Sequence, residues 1–119
     1  MRFMINVKGV VKSFDGFRAL NMLDMNVEKG SIYGLVGPNG AGKTTIINHI
    51  TGALTPDSGI ITVDGESVYD NEKIKQRVLS IADDWYYYGS FTAGDMARFY
   101  KRIYNNFNEE RYMRMAELF

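Results

Sequence analysis

Apolar side chains recur near every second position in two segments at the start of the chain, Phe3–Phe14 and residues 19–27. Such alternation is typical of strands that bury one face and expose the other. The dipeptide Asp15-Gly16 between the two segments favours a tight hairpin turn. The sequence therefore predicts an antiparallel β unit over residues 1–30.

Two later segments are short and almost entirely apolar, residues 31–36 and residues 78–82. Continuous apolar runs of this length are typical of strands that are buried on both faces of a parallel sheet. We therefore expect each of the two segments to form a core strand.

The region between these runs predicts one helix and one hairpin. Residues 43–51 have helical spacing, with Ile46, Ile47 and Ile50 on one face, and we expect the helix to end near Gly52. A turn over residues 56–59 precedes a strand over residues 60–63, which the Asp64-Gly65 turn closes.

The rest of the chain predicts three helices. Asn71 is a suitable cap for a short helix that reaches Arg77. Residues 92–104 and residues 109–119 both have the apolar spacing of amphipathic helices. We find no internal repeat and no linker composition.

Composition excludes several classes of protein. The 119 residues are 45% apolar and 24% charged, as in an ordinary globular domain, and 14 basic residues balance 14 acidic ones. No net field attracts a polyanion, so we expect no nucleic acid partner. With no cysteine there is no disulfide framework or thiolate metal site, which fits a reducing cytosol. We expect neither an export signal nor a membrane-spanning segment.

The strongest motif is the loop Gly-Pro-Asn-Gly-Ala-Gly-Lys-Thr at residues 37–44, which matches the phosphate-loop pattern GxxxxGK[ST] in full. Its glycines allow several backbone N–H groups to point inward, and the positive end of the following helix adds to this nest for anions. A glycine-rich turn without a ligand is the alternative. The predicted nucleotide contacts in this region are Gly37, Pro38, Asn39, Gly40, Ala41, Gly42, Lys43, Thr44 and Thr45.

Two side chains of the loop have distinct predicted roles. Lys43, the candidate catalytic residue, should reach the β- and γ-phosphates as a point charge, and the Thr44 hydroxyl should join the shell of a Mg²⁺ ion. The expected ligand is therefore a nucleoside triphosphate with Mg²⁺.

The chain resembles the nucleotide-binding domain of an ABC transporter, through residues 31–45, Thr51-Gly52 and residues 56–59. The resemblance implies an α/β fold with a P-loop NTPase core over residues 31–84. The antiparallel unit over residues 1–30 precedes this core, and the start of a helical subdomain over residues 85–119 follows it. Bacterial ABC-2-type exporter ATPases are similar.

Residues 11–16 resemble the family segment whose aromatic side chain stacks on adenine, and Phe14 occupies that place. Stacking accepts any base, so the expectation of ATP comes from the resemblance. Two alternatives remain open: Phe14 packs in the core, or Phe17 takes the stacking role.

After the second core strand the family usually has a glutamine that contacts Mg²⁺ and faces the membrane partner, whereas this chain has Asp83 followed by Asp84. Asp83 is therefore a candidate metal ligand, with a solvated acid as the alternative. Residues 85–88, with Phe91-Thr92, resemble the surface that receives a coupling helix, and packing within the domain is the competing interpretation.

The family's later motifs are absent from these residues, namely the signature sequence, the second acidic strand with its catalytic glutamate, and the histidine switch. We therefore expect an incomplete domain that hydrolyses ATP poorly by itself. The only histidine, His49, lies within the helix after the loop and is expected to be structural or exposed rather than catalytic.

The resemblance also implies partners and a location: a transmembrane permease, a second nucleotide-binding domain in a head-to-tail dimer, and the cytoplasmic face of the cell membrane. Two other functions compete with a transporter ATPase. One is a compact P-loop GTPase or kinase that uses residues 79–83 as its acidic strand, and the other is a non-catalytic nucleotide-binding or interaction module.

Overall fold

The structure, a computed structural model, describes residues 2–38, 40, 42–82 and 89–118. The chain divides into two compact units, Met1–Ser80 and Ile81–Phe119. The first unit contains the β-sheet and the glycine-rich loop, and the second unit is helical. No helix in the described part of the chain is both long and apolar enough to cross a membrane.

The first unit is built on a four-stranded antiparallel sheet with the strand order β2-β1-β3-β4. The strands are β1 (Phe3–Phe14), β2 (Phe17–Glu28), β3 (Ser58–Val63) and β4 (Glu66–Ser67). Asp15 and Gly16 join β1 to β2 with φ angles of 45° and 80°, the left-handed pair of a tight hairpin turn. The predicted antiparallel unit is confirmed, although β3 begins two residues earlier than expected.

The helices are α1 (Lys43–Ile50), α2 (Glu72–Lys75), α3 (Ala93–Ile103) and α4 (Glu109–Leu118). The Asn71 side chain caps α2 by accepting a hydrogen bond from the N–H of Ile74, as predicted. Thr92 caps α3 in a reciprocal box, because its hydroxyl accepts from the N–H of Asp95 and the Asp95 carboxylate accepts from the N–H of Thr92. The four predicted helices are therefore present.

The core of the first unit lies between one face of the sheet and helices α1 and α2. Its buried side chains are Val7, Val10, Leu20, Met25, Ile46, Ile61, Val63, Val68 and Ile74. Ile46 is the most buried apolar residue of α1, and Ile50 packs partly against the core. The prediction that Ile47 shares this face is wrong, because its side chain is exposed.

The two predicted core strands are not formed: residues 31–36 and residues 78–82 have no regular secondary structure. Ile32 and Val36 are almost fully exposed, and so is most of Ile81. A strand that is buried on both faces needs hydrogen-bonded neighbours on each side. Among the described residues only β1 to β4 pair, and they form an antiparallel sheet without these segments. Both segments are apolar, as predicted, but none of the described strands pairs with them.

Candidate nucleotide-binding site

The glycine-rich loop leads directly into α1. Gly42 is the N-cap of the helix, with φ of 95°, and its carbonyl oxygen accepts from the N–H of Ile46 at 2.9 Å. Gly42, as the N-cap residue, has no side chain that could cap this end of the helix. The N-cap position therefore supplies no side-chain acceptor for the first-turn N–H groups, and the positive end of a helix that is capped in this way suits an anion.

Lys43 connects the two ends of the loop. Its ammonium group donates hydrogen bonds to the carbonyl oxygen of Gly37 and, at 2.9 Å, to the carbonyl oxygen of Pro38. The side chain therefore folds back over the start of the loop. These bonds also keep the positive charge close to the backbone that is predicted to surround the phosphates.

A cavity of about 410 Å³ lies between the first hairpin and the start of α1. This volume is within the range of small-molecule sites. The residues that line the cavity are Phe14, Phe17, Ala19, Gly40, Gly42, Lys43, Thr44 and Thr45. The cavity thus has two aromatic rings from the hairpin together with the charged and hydroxyl side chains at the end of the loop and the start of α1.

Phe14 and Phe17 are opposite each other in the last pair of the hairpin, beside the Asp15-Gly16 turn. Both side chains are partly exposed, Phe14 at 42% and Phe17 at 64%. The structure excludes a fully buried core role for Phe14. It also places the alternative stacking residue, Phe17, in the same cavity wall.

The structure brings most of the predicted site residues together. Phe14, Gly40, Gly42, Lys43, Thr44 and Thr45 line one cavity, and Gly37 and Pro38 contact Lys43. Asn39, Ala41 and Asp83 lie outside the described residues, as do residues 84–88. Ala19 was not predicted, since one alanine in an alternating strand carries no signal of its own.

His49 is completely buried, in agreement with the predicted structural role. Its Nδ1–H donates to the carbonyl oxygen of Thr45 at 2.6 Å, one turn earlier in α1. The side chain therefore supports the helix beneath the loop and does not line the cavity.

Known proteins of one family resemble this chain over most of its length. The family model described as ABC transporter matches residues 20–111. The ABC transporter ATP-binding protein YtrB of Bacillus subtilis is 33% identical over 105 residues, which are 88% of this chain and 36% of YtrB. The daunorubicin/doxorubicin resistance ATP-binding protein DrrA of Streptomyces peucetius is 40% identical over 81 residues, which are 68% of this chain and 24% of DrrA.

A solved structure supports the fold. The chain matches a structure described as the ATP binding subunit of an ABC transporter with a TM-score of 0.80 and 28% identity, covering 93% of this chain and 46% of that one. The α/β class with an incomplete ABC ATPase-like domain is therefore confirmed. The chain spans about a quarter to a third of the two curated relatives and less than half of the structural neighbour.

Proposed function

Because the chain belongs to the ABC transporter family, we propose that it binds Mg-ATP as part of an ATPase that couples hydrolysis to transport across a membrane. The observation that carries this proposal is that Phe14, Lys43 and Thr44 line the same cavity. The aromatic ring can stack on a base, the ammonium group can pair with a phosphate chain, and the hydroxyl can bind a metal ion.

In the proposed complex the adenine ring stacks on Phe14, and the phosphates occupy the nest formed by the loop and the first turn of α1. Lys43 exchanges its bonds to the neutral loop carbonyls for bonds to the negatively charged β- and γ-phosphates. These contacts bind the nucleotide and hold its terminal phosphate in place.

The donor set of the described residues fits a Mg²⁺ ion bound mainly through the nucleotide. Thr44 contributes a hydroxyl to the cavity wall, and oxygen donors of this kind are the usual ligands of Mg²⁺, together with phosphates and waters. Asp83 remains our second proposed ligand. When bound, the ion neutralises charge on the phosphates.

The proposal for the whole protein rests on the family. We propose that the partners are a transmembrane permease and a second nucleotide-binding domain, and that the protein lies on the cytoplasmic face of the membrane. In this proposal the residues of the loop and the hairpin bind nucleotide, and efficient hydrolysis also requires the family's signature motif and catalytic glutamate.

Calorimetric titration of the chain with ATP in the presence of Mg²⁺ tests the binding site. We expect Lys43→Met to abolish measurable binding, because the β- and γ-phosphates lose their main charged partner. Lys8→Met removes the same charge from an exposed position in β1 and serves as the control. Equal binding by both variants would refute the assigned site.

Two further measurements separate the competing functions. We expect binding without appreciable turnover, whereas ATP turnover by the monomer that Lys43→Met abolishes would contradict a site that needs a second domain. Selective binding of GTP over ATP would instead support a compact GTPase.

A further inference from the structure

Lys12 contacts the ring of Phe14. Its ammonium nitrogen lies 5.4 Å from the ring centroid, within the distance at which a cation is attracted to an aromatic face. The Lys12 side chain is only 18% exposed, and Lys12 does not line the cavity that Phe14 faces. The ammonium group therefore approaches the ring from outside the cavity.

The segment before β3 holds Lys12 in this position. The Lys12 ammonium group donates to the carbonyl oxygen of Thr55 at 3.0 Å and lies 3.6 Å from the Oδ1 atom of Asp57. A lysine ammonium has three N–H groups. One can be directed to the carbonyl, one to the carboxylate and the third to the ring.

Asp57 also fixes the backbone on both sides of Lys12. Its Oδ2 atom accepts from the N–H of Ser13 at 2.8 Å, and its own N–H donates to the carbonyl oxygen of Val11 at 2.9 Å. The contacts of Asp57 and Lys12 thus join residues 55–57 to the end of β1, immediately before Phe14. We call this set of contacts the Lys12–Asp57 clamp.

We propose that Lys12 is a positioning residue for base recognition: through the Lys12–Asp57 clamp it holds the Phe14 ring in the orientation that stacks on the base of the nucleotide. This inference rests on the proposed function, which assigns Phe14 to the base. A partly exposed ring that is free to rotate loses conformational entropy when the ligand orders it, and this loss weakens binding. A ring that is already held in position avoids this entropic cost.

Comparison of two ligands tests the proposal, because only ATP has a base. Affinities for ATP and for inorganic tripolyphosphate are measured by calorimetric titration in the presence of Mg²⁺. We expect Lys12→Met to weaken ATP binding by about two- to tenfold, the factor that corresponds to ordering one side chain on binding. Tripolyphosphate binding should change no more than it does in the control Lys8→Met, which loses the same charge.

Two further variants test whether the effect comes from the Lys12–Asp57 clamp. Lys12→Arg keeps a cation that can contact both the ring and Thr55, so we expect it to retain the ATP-to-tripolyphosphate affinity ratio. Asp57→Asn keeps an oxygen for the N–H of Ser13 but removes the charge beside Lys12, and it should lower the ratio in the same direction. If Lys12→Met fails to bind tripolyphosphate because its loop is disturbed, Asp57→Asn carries the test.

Phe14→Leu distinguishes failure of this inference from failure of the proposed function. If Phe14→Leu leaves the affinity ratio unchanged, the ring does not stack on the base and the assignment of Phe14 is wrong. If Phe14→Leu lowers the ratio but Lys12→Met and Asp57→Asn do not, Phe14 needs no clamp and the inference is overturned. An equal loss of both ligands in Lys12→Met, together with an unchanged affinity ratio in Asp57→Asn, would also overturn the inference, since these two results would indicate a general electrostatic or structural role.

Discussion

Gly42 lies directly against Ala19: a β-carbon at residue 42 would stand only 2.9 Å from the backbone carbonyl oxygen of Ala19. The same atom would be 3.0 Å from the Leu20 side chain. The end of the glycine-rich loop thus lies so close to β2 that residue 42 has no room for a side chain. This contact places the start of α1 beside the hairpin that carries Phe14.

We predict that Gly42→Ala weakens ATP binding by about tenfold or more and lowers the free energy of unfolding by about 1 to 3 kcal/mol. The added carbon forces the loop away from β2, and φ of 95° is strained for any residue with a side chain. Calorimetric titration and urea denaturation measure the two effects.

Gly30→Ala is the matched control for this prediction. Gly30 has a similarly positive φ of 74°, but a β-carbon there would meet no atom within 4 Å. Gly30→Ala should therefore lower the free energy of unfolding through backbone strain but leave the ATP affinity unchanged. Equal ATP affinities for the two variants would contradict a role for the contact with Ala19.

A second close approach joins β3 to β1 at Gly59. A β-carbon there would lie 2.5 Å from the carbonyl oxygen of Gly9 and 2.6 Å from the α-carbon of Val10, both of which are backbone atoms. We predict that Gly59→Ala destabilises the fold by about 3 kcal/mol or more, because the two strands must separate. Chemical denaturation, again with Gly30→Ala as control, measures the difference. A loss no greater than that of Gly30→Ala would refute the close approach.

Asp64 should make stability depend on pH in the acid range. Hydrogen bonds from Arg77, at 2.8 Å, and from Lys29, at 3.3 Å, hold the pKa of Asp64 below its usual value of 3.8. A carboxyl group whose pKa is lowered by folding stabilises the folded state above its unfolded pKa. This contribution is lost as the pH falls through the lower folded value.

We therefore predict that Asp64→Asn is less stable than the unmodified chain at neutral pH, and that the difference shrinks as the pH falls below about 4. Asparagine is the appropriate replacement, because Asp64 has φ of 50° and asparagine tolerates the left-handed region. Denaturation at several pH values between 3 and 7 provides the test. A stability difference that did not change over this range would contradict the assignment.

Thr92 should stabilise α3 through its cap. We predict that Thr92→Ala lowers the free energy of unfolding of the helical unit by about 1 kcal/mol, because the N–H of Asp95 loses its acceptor. Thr92→Ser keeps the hydroxyl and should retain most of the stability. Thermal unfolding followed by circular dichroism measures both, and equal losses would show that the cap contributes nothing.

The local chemistry of the sequence determined the turns and the helix starts, and it predicted the phosphate loop from a complete motif. Asp15-Gly16 and Asp64-Gly65 adopt the left-handed turns expected of these pairs, and Asn71 caps its helix by a bond that spans three residues. Such features depend on neighbours in the sequence, so they can be predicted without knowledge of the rest of the molecule.

Only the tertiary structure decided which segments pair and what surrounds the site. The apolar run at residues 31–36 indicated a core strand, but these residues form no strand. A strand forms only where a neighbouring strand offers hydrogen bonds, and such neighbours are usually distant in sequence. The same holds for Lys12 and Asp57, which are 45 residues apart and meet because β3 lies beside β1. The sequence therefore predicted the loop that we propose to hold phosphate. The fold revealed that Phe14 lines the same cavity as the end of this loop, and that Lys12 contacts the Phe14 ring.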